Sequence, residues 1–188
     1  MSVRIMAKNL SKRSNSKPMP HDSINLDLPD SRITEALGAA LARAMPALSA
    51  GAVVYLQGEL GAGKTSCARS LLRALGVTAH VRSPTYTLVD NYSVANLDCV
   101  HIDLYRLSSA AEVEELGLRD LTGPGSLMLI EWPENGGAAV PAADVKLRLL
   151  YAGEGRAASL TALTPLGRQW LLNLVTDTSL APYVSNLT

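Results

Sequence analysis

The chain has 188 residues, 47% of them hydrophobic and 18% charged, which is enough for one well-buried α/β domain and does not require a second. No apolar run approaches the roughly 20 residues that cross a bilayer, and no secretory apolar segment follows the start, so a cytoplasmic protein with no membrane partner is expected. The formal net charge is zero, yet residues 1–21 carry Arg4, Lys8, Lys12, Arg13 and Lys17 with no acid, leaving 12 basic against 17 acidic residues, net −5, in the remainder. An acidic body grips nucleic acid poorly by itself, because phosphate contacts dominate that affinity. The basic stretch at 1–21 reads as a solvated, poorly ordered extension, with an RNA contact or a transit peptide as alternatives, and 22–188 reads as a single domain.

Ile24 to Leu28 alternates apolar and polar residues like an edge strand. Asp30 or Ser31 can cap a helix in which Ile33, Leu37, Leu41 and Met45 recur every four residues, with Pro46 near its end. Val53 to Leu56 is a short apolar run suited to a buried parallel strand. It leads into Gly58-Glu-Leu-Gly-Ala-Gly-Lys-Thr65, which fits G-x-x-x-x-G-K-[ST] at every fixed position. Behind this loop Ala68, Leu71, Leu72 and Leu75 lie on one helical face, and Gly76 supplies a stop. Thr85 to Tyr92 reads as a strand, Cys99 to Leu104 as another, and Ser109 with Glu112 as the capping box of a short helix ending by Gly117. Ser126 to Ile130 is a continuous apolar strand. Val145 to Tyr151 and Ala158 to Leu163 form a hairpin around Gly153 to Gly155, and Thr164-Pro165 opens a last helix with Leu166, Trp170 and Leu174 inward. The expected fold is a P-loop NTPase-like, three-layer α/β arrangement with a mostly parallel central sheet and a C-terminal β-hairpin plus helix.

The loop's residue types point to a nucleoside triphosphate. Gly58, Gly61 and Gly63 lack side chains, so successive backbone N–H groups can turn inward around phosphate oxygens. Lys64 places a cation on the outer phosphates, Thr65 offers a hydroxyl to Mg²⁺, and the helix directs its positive end at the anion. The candidate nucleotide-binding stretch comprises Gly58, Glu59, Leu60, Gly61, Ala62, Gly63, Lys64, Thr65 and Ser66. A metal also needs an acid, and an attacking water needs a group to orient it. Asp103 and Glu131 each close an apolar strand, where open α/β sheets bind ligands. Glu131 reads as the metal-side acid, although either residue could be an ordinary strand-end carboxylate. His101 is either catalytic or a neutral, hydrogen-bonded strand histidine. Cys67 and Cys99 have no metal-type spacing and read as reduced core residues.

GELGAGKT at 58–65, SPTYTLVDNY at 83–92, HIDLYRL at 101–107, ELGLRDL at 115–121 and LIEWPE at 129–134 occur together and in order. In this the chain resembles the TsaE (YjeE) family, the small bacterial P-loop ATPases required for threonylcarbamoyladenosine modification of tRNA. The resemblance is firm over Leu28 to Glu134 and weak beyond. It implies that Lys64 and Thr65 hold phosphate and Mg²⁺, that Glu131 completes the metal site, and that Asp103 is the catalytic or water-orienting acid. It also implies that Ser83 to Val89 is a mobile segment with Thr85 near the terminal phosphate, and that Thr34 and Trp132 border the nucleoside, a core role being the alternative for Trp132. ATP as the nucleotide and a TsaB–TsaD pair as partner, with tRNA reached only through that pair, follow from the same resemblance.

Two other classes compete. A stand-alone small-molecule kinase would need lid arginines; Arg82, Arg106 and Arg119 are available, but no lid-like insertion is visible. A GTPase-type switch would need N-K-x-D, which is missing, and Asp120-Leu-Thr-Gly123 matches D-x-x-G without a preceding strand.

Overall fold

The structure, a computed structural model, describes residues 22–187, so the basic extension at 1–21 lies outside it. In chain order the elements are β1 (Ser23–Leu28), α1 (Ser31–Ala44), β2 (Ala52–Gln57), α2 (Lys64–Ala74), β3 (Val89–Val94), β4 (Leu97–Asp103), α3 (Ala110–Glu114), β5 (Ser126–Glu131), β6 (Val145–Ala152), β7 (Gly155–Ala162), α4 (Pro165–Leu174) and β8 (Val184–Leu187). Side chains fix three helix starts. Asp30 accepts the Ile33 N–H at 3.1 Å, Thr164 accepts that of Gly167 at 3.2 Å, and Ser109 and Glu112 form the reciprocal capping box.

The strands form one sheet in the order β3-β4-β5-β2-β6-β7-β1-β8. Its centre is parallel: β4 pairs with β5, β5 with β2, and β2 with β6. The four outer pairings are antiparallel, so the sheet is mixed and the expected mostly parallel sheet is corrected. Chain length explains two of the four: only Ala95-Asn96 separate β3 from β4, and only Gly153-Glu154 separate β6 from β7. A two-residue loop closes an antiparallel hairpin, whereas a parallel neighbour needs a crossover of a dozen residues or more.

Both faces of the central strands are buried, which is why β5 carries no solvent-facing position. On one face, α1, α2 and α4 cover Val54, Leu56, Leu127, Leu129 and Leu147. Trp170 of α4 is fully buried there and donates its indole N–H to the Leu41 carbonyl of α1 at 2.8 Å. The opposite face is narrower. Val53, Val100, Ile102, Met128 and Ile130 pack under α3 and the short 3₁₀ turns at 118–121 and 137–139.

Two strand expectations change. β1 is not an edge, because β8 pairs with its outer side. Its alternation reports that Ile24, Leu26 and Leu28 are buried on one face; lateral pairing leaves no trace in such a pattern. The strand expected from Thr85 begins only at Val89. Leu88 takes a left-handed conformation, φ 64°, and the Thr85 and Thr87 hydroxyls bond the carboxylates of Asp103 and Asp90. The Leu88 N–H donates to the Pro84 carbonyl at 2.6 Å, closing a turn over 84–88 where the ladder was expected.

Candidate active site

Gly58 to Gly63 turns the chain from the carboxyl end of β2 into α2, between the sheet and the first helical turn. Two glycines are obligatory. Gly58 stands at φ 139°, and a Cβ on it would collide with the Leu149 carbonyl. Gly63 caps α2 at φ 108°, where a Cβ would stand 3.0 Å from the methyl carbon of Thr34. Lys64, only 4% exposed, folds back so that its ammonium donates to the carbonyls of Gly58 at 2.7 Å and Glu59 at 2.9 Å. Burial pulls its pKa below the ordinary lysine value, against the opposing charges of Glu131, Asp103 and Glu134.

Parallel register brings the two acids together, since Asp103 at the end of β4 lies opposite Glu131 at the end of β5. Both are buried, at 3% and 2% exposure. The Thr65 hydroxyl shares its hydrogen between the Glu131 oxygens, at 2.8 and 2.9 Å, and His101 Nε2 lies 2.9 Å from Oε1. Asp103 is held by other donors. Ser83 and Thr85 donate to Oδ2, Thr85 at 3.0 Å, and the Tyr105 N–H donates to Oδ1 at 3.0 Å. Thr65 and Glu131 together offer hard oxygen donors, the type Mg²⁺ accepts. Among the described residues no cluster of three or more His, Cys, Asp or Glu could hold a metal by itself. Thr65 and Glu131 are therefore the residues that would hold such an ion.

Trp132 follows Glu131 in a left-handed conformation, φ 57°, which is costly for a bulky aromatic and of order 1–3 kcal/mol. That turn lays the indole over the Lys64 ammonium, 4.0 Å from ring centroid to nitrogen, and against the Tyr105 ring at 5.1 Å. On the other side the tip of the β6–β7 hairpin braces the loop. The Tyr151 hydroxyl donates to the Leu60 carbonyl at 2.9 Å, and the Arg156 guanidinium lies over the Tyr151 ring, 4.7 Å from its centroid.

One cleft is thus lined by Leu60, Gly61, Gly63, Lys64, Thr65, Ser66, Ser83, Thr85, Asp103, Tyr105 and Trp132. Gly58, Glu59 and Ala62 shape the loop without lining it: the first two give carbonyls to Lys64, and Ala62 is buried. Thr34 is buried and packs its methyl against Gly63, so it supports the loop rather than facing the cleft. Glu131 sits behind Thr65. None of Arg82, Arg106 and Arg119 lines the cleft; Arg106 lies over the Tyr86 ring and Arg119 donates to the Ala138 carbonyl. Tyr105, Tyr151 and Arg156 join the site without a local sequence signal. Their positions depend on β6 lying beside β2 and on the turn after β4, neither of which leaves a local pattern. Cys67 and Cys99 are free and buried, with burial pushing their thiols up to about 12 and about 11, so both remain unionised.

One mixed sheet covered by helices, with a glycine-rich loop between a parallel strand and a helix and two buried strand-end carboxylates behind it, is an α/β protein consistent with a P-loop-like fold. The family model described as threonylcarbamoyl adenosine biosynthesis protein TsaE matches residues 28–158. The chain belongs to the TsaE family, whose role is in tRNA threonylcarbamoyladenosine biosynthesis. It is 44% identical over 116 residues to the tRNA threonylcarbamoyladenosine biosynthesis protein TsaE of Haemophilus influenzae, a match covering 62% of this chain and 73% of the relative. The protein of the same description from a Synechocystis species is 39% identical over 120 residues, covering 62% and 74%. The crystal structure of Bacillus subtilus YdiB superimposes with a TM-score of 0.68 at 25% identity, covering 84% of this chain and 97% of that one. Among the described residues no helix is long and apolar enough to cross a membrane.

Proposed function

We propose that the protein is a Mg²⁺-dependent ATPase that serves tRNA threonylcarbamoyladenosine modification as an accessory to a TsaB–TsaD pair in the cytoplasm, reaching tRNA only through that pair. The observation that supports this best is the contact of Thr65 with Glu131 inside the GELGAGKT loop, with Asp103 next in register. ATP would lie with its phosphates against the N–H groups of 58–65, and Lys64 would exchange its two carbonyl partners for outer phosphate oxygens. Thr65 and Glu131 would hold Mg²⁺, whose role when bound is to neutralise charge on the phosphates. Asp103 would orient a water. The water oxygen forms a bond to the γ-phosphorus, the bond from that phosphorus to the bridging oxygen breaks, and the water's proton passes to Asp103, leaving ADP and phosphate. Ser83, Thr85 and the Tyr105 N–H keep the carboxylate aimed. Trp132, whose indole lies over Lys64 and lines the cleft, would border the bound nucleotide.

Calorimetric titration with ATP, with and without Mg²⁺, tests the reading. Wild type is expected to bind ATP more tightly with Mg²⁺, and Glu131→Ala to lose most of that dependence while still folding. A protein that binds no ATP, or a Glu131→Ala variant with unchanged Mg²⁺ dependence, contradicts the site.

A further inference from the structure

The geometry points to His101 as a positioning residue that holds Glu131 for the metal through its Nε2–H; this rests on the function proposed above. Side chains alternate along β4, so Cys99, His101 and Asp103 face α2 while Val100 and Ile102 face the opposite core. His101 lies opposite Leu129, one pleat short of Glu131, and its ring reaches diagonally to the carboxylate, 2.9 Å from Nε2 to Oε1. The side chain is 0% exposed, and its Nδ1 is the one buried side-chain nitrogen or oxygen without a partner among the described residues.

That lone unpartnered atom selects the tautomer. A hydrogen on Nδ1 would bury an unsatisfied donor and leave two acceptors facing each other at Nε2 and Oε1. A hydrogen on Nε2 supplies the Glu131 bond and leaves only an acceptor unpaired. The ring therefore donates to the carboxylate from inside the sheet, whereas Thr65 donates from the loop. If Thr65 gave an oxygen lone pair to a metal, its hydrogen would stay on Glu131, so the carboxylate would be held from both sides, by Thr65 from the loop and by His101 from inside the sheet. Partners of this kind, one step behind a metal ligand, typically change metal affinity by about 10–100-fold. A core histidine that merely satisfied a buried acid would change stability instead.

The test compares His101→Leu, which fills similar space without a donor, with His101→Gln, whose amide nitrogen can still donate. The readouts are the Mg²⁺ concentration at half-maximal enhancement of ATP affinity, the ATP affinity without Mg²⁺, and the melting temperature of the nucleotide-free protein. For His101→Leu the Mg²⁺ midpoint is expected to rise about tenfold or more, with metal-free ATP affinity within about twofold, and His101→Gln is expected to recover most of the shift. A folded His101→Leu protein with the wild-type midpoint overturns the inference, as does an equal shift in both variants. If His101→Leu does not fold, the Mg²⁺ midpoint of His101→Gln and the long-range ¹H–¹⁵N spectrum of wild type with and without Mg²⁺ and ATP decide: a ring Nε2–H signal that persists and shifts when Mg²⁺ is added to the ATP-bound protein supports the assignment, and an Nδ1–H ring or an Nε2–H signal that ignores Mg²⁺ overturns it. Wild-type ATP binding that ignores Mg²⁺ overturns the proposed function and this inference together, whereas a Mg²⁺-responsive wild type beside an unshifted His101→Leu overturns only the inference.

Discussion

Asp103→Asn is expected to bind ATP and Mg²⁺ as wild type does and to hydrolyse ATP about 10²-fold or more slowly, the scale of a positioned acid–base group. The substitution keeps the size of the side chain and one carbonyl oxygen, so Ser83 and Thr85 or the Tyr105 N–H retain an acceptor. What it removes is the carboxylate's ability to take a proton from water. Nucleotide affinity should change little, because the groups expected to carry ground-state binding, the loop N–H groups and Lys64, are untouched. Binding and turnover measured on the same preparation separate the two effects. An Asp103→Asn protein with undiminished hydrolysis would reduce Asp103 to a strand-end acid that organises the 83–88 turn.

Lys64→Ala is expected to raise the dissociation constant for ATP about 10- to 100-fold, since it deletes a charged donor worth roughly 1.5–3 kcal/mol. Thr65→Ala should behave differently. It leaves the glycine loop and the lysine in place and removes one metal-side hydroxyl, so turnover should fall far more than affinity. Equal losses of both in Thr65→Ala would contradict its assignment to the metal. Titration calorimetry beside a phosphate-release assay distinguishes the pair.

The legible parts of this protein are those with local causes. The loop from Gly58 to Thr65 carries its chemistry in consecutive residues, and Asp103 and Glu131 announce themselves as acids closing apolar runs. Their adjacency follows from β4 and β5 being parallel neighbours, with Asp103 opposite Glu131. Other features have causes distant in sequence. β1 is interior because β8 returns more than 150 residues later; one-sided burial produces the same alternation at an edge or inside a sheet. Thr34 reads as a helix residue, and its support of Gly63 depends on how α1 packs on α2. His101 admits two readings in isolation, and only its 2.9 Å approach to Glu131 joins it to the site. Tyr151 and Arg156 brace the loop because β6 pairs with β2, a neighbour relation that no residue pattern encodes.

The segment between α2 and β3 ties the site to the surface. Ser83 and Thr85 bond Asp103 from within, while Tyr86, 84% exposed, projects outward beneath the Arg106 guanidinium. Pro84 restricts Ser83 to extended geometry, and such a segment can order around a terminal phosphate and loosen after hydrolysis. A partner that reads this surface would complete the water-orienting geometry around Asp103. The most direct test is the rate of ATP hydrolysis by the purified protein, alone and with a purified TsaB–TsaD pair, for wild type and Thr85→Ala. Slow hydrolysis alone, stimulation by the pair, and loss of that stimulation in Thr85→Ala are the predicted results; a pair that neither binds nor stimulates the wild-type protein would contradict the account.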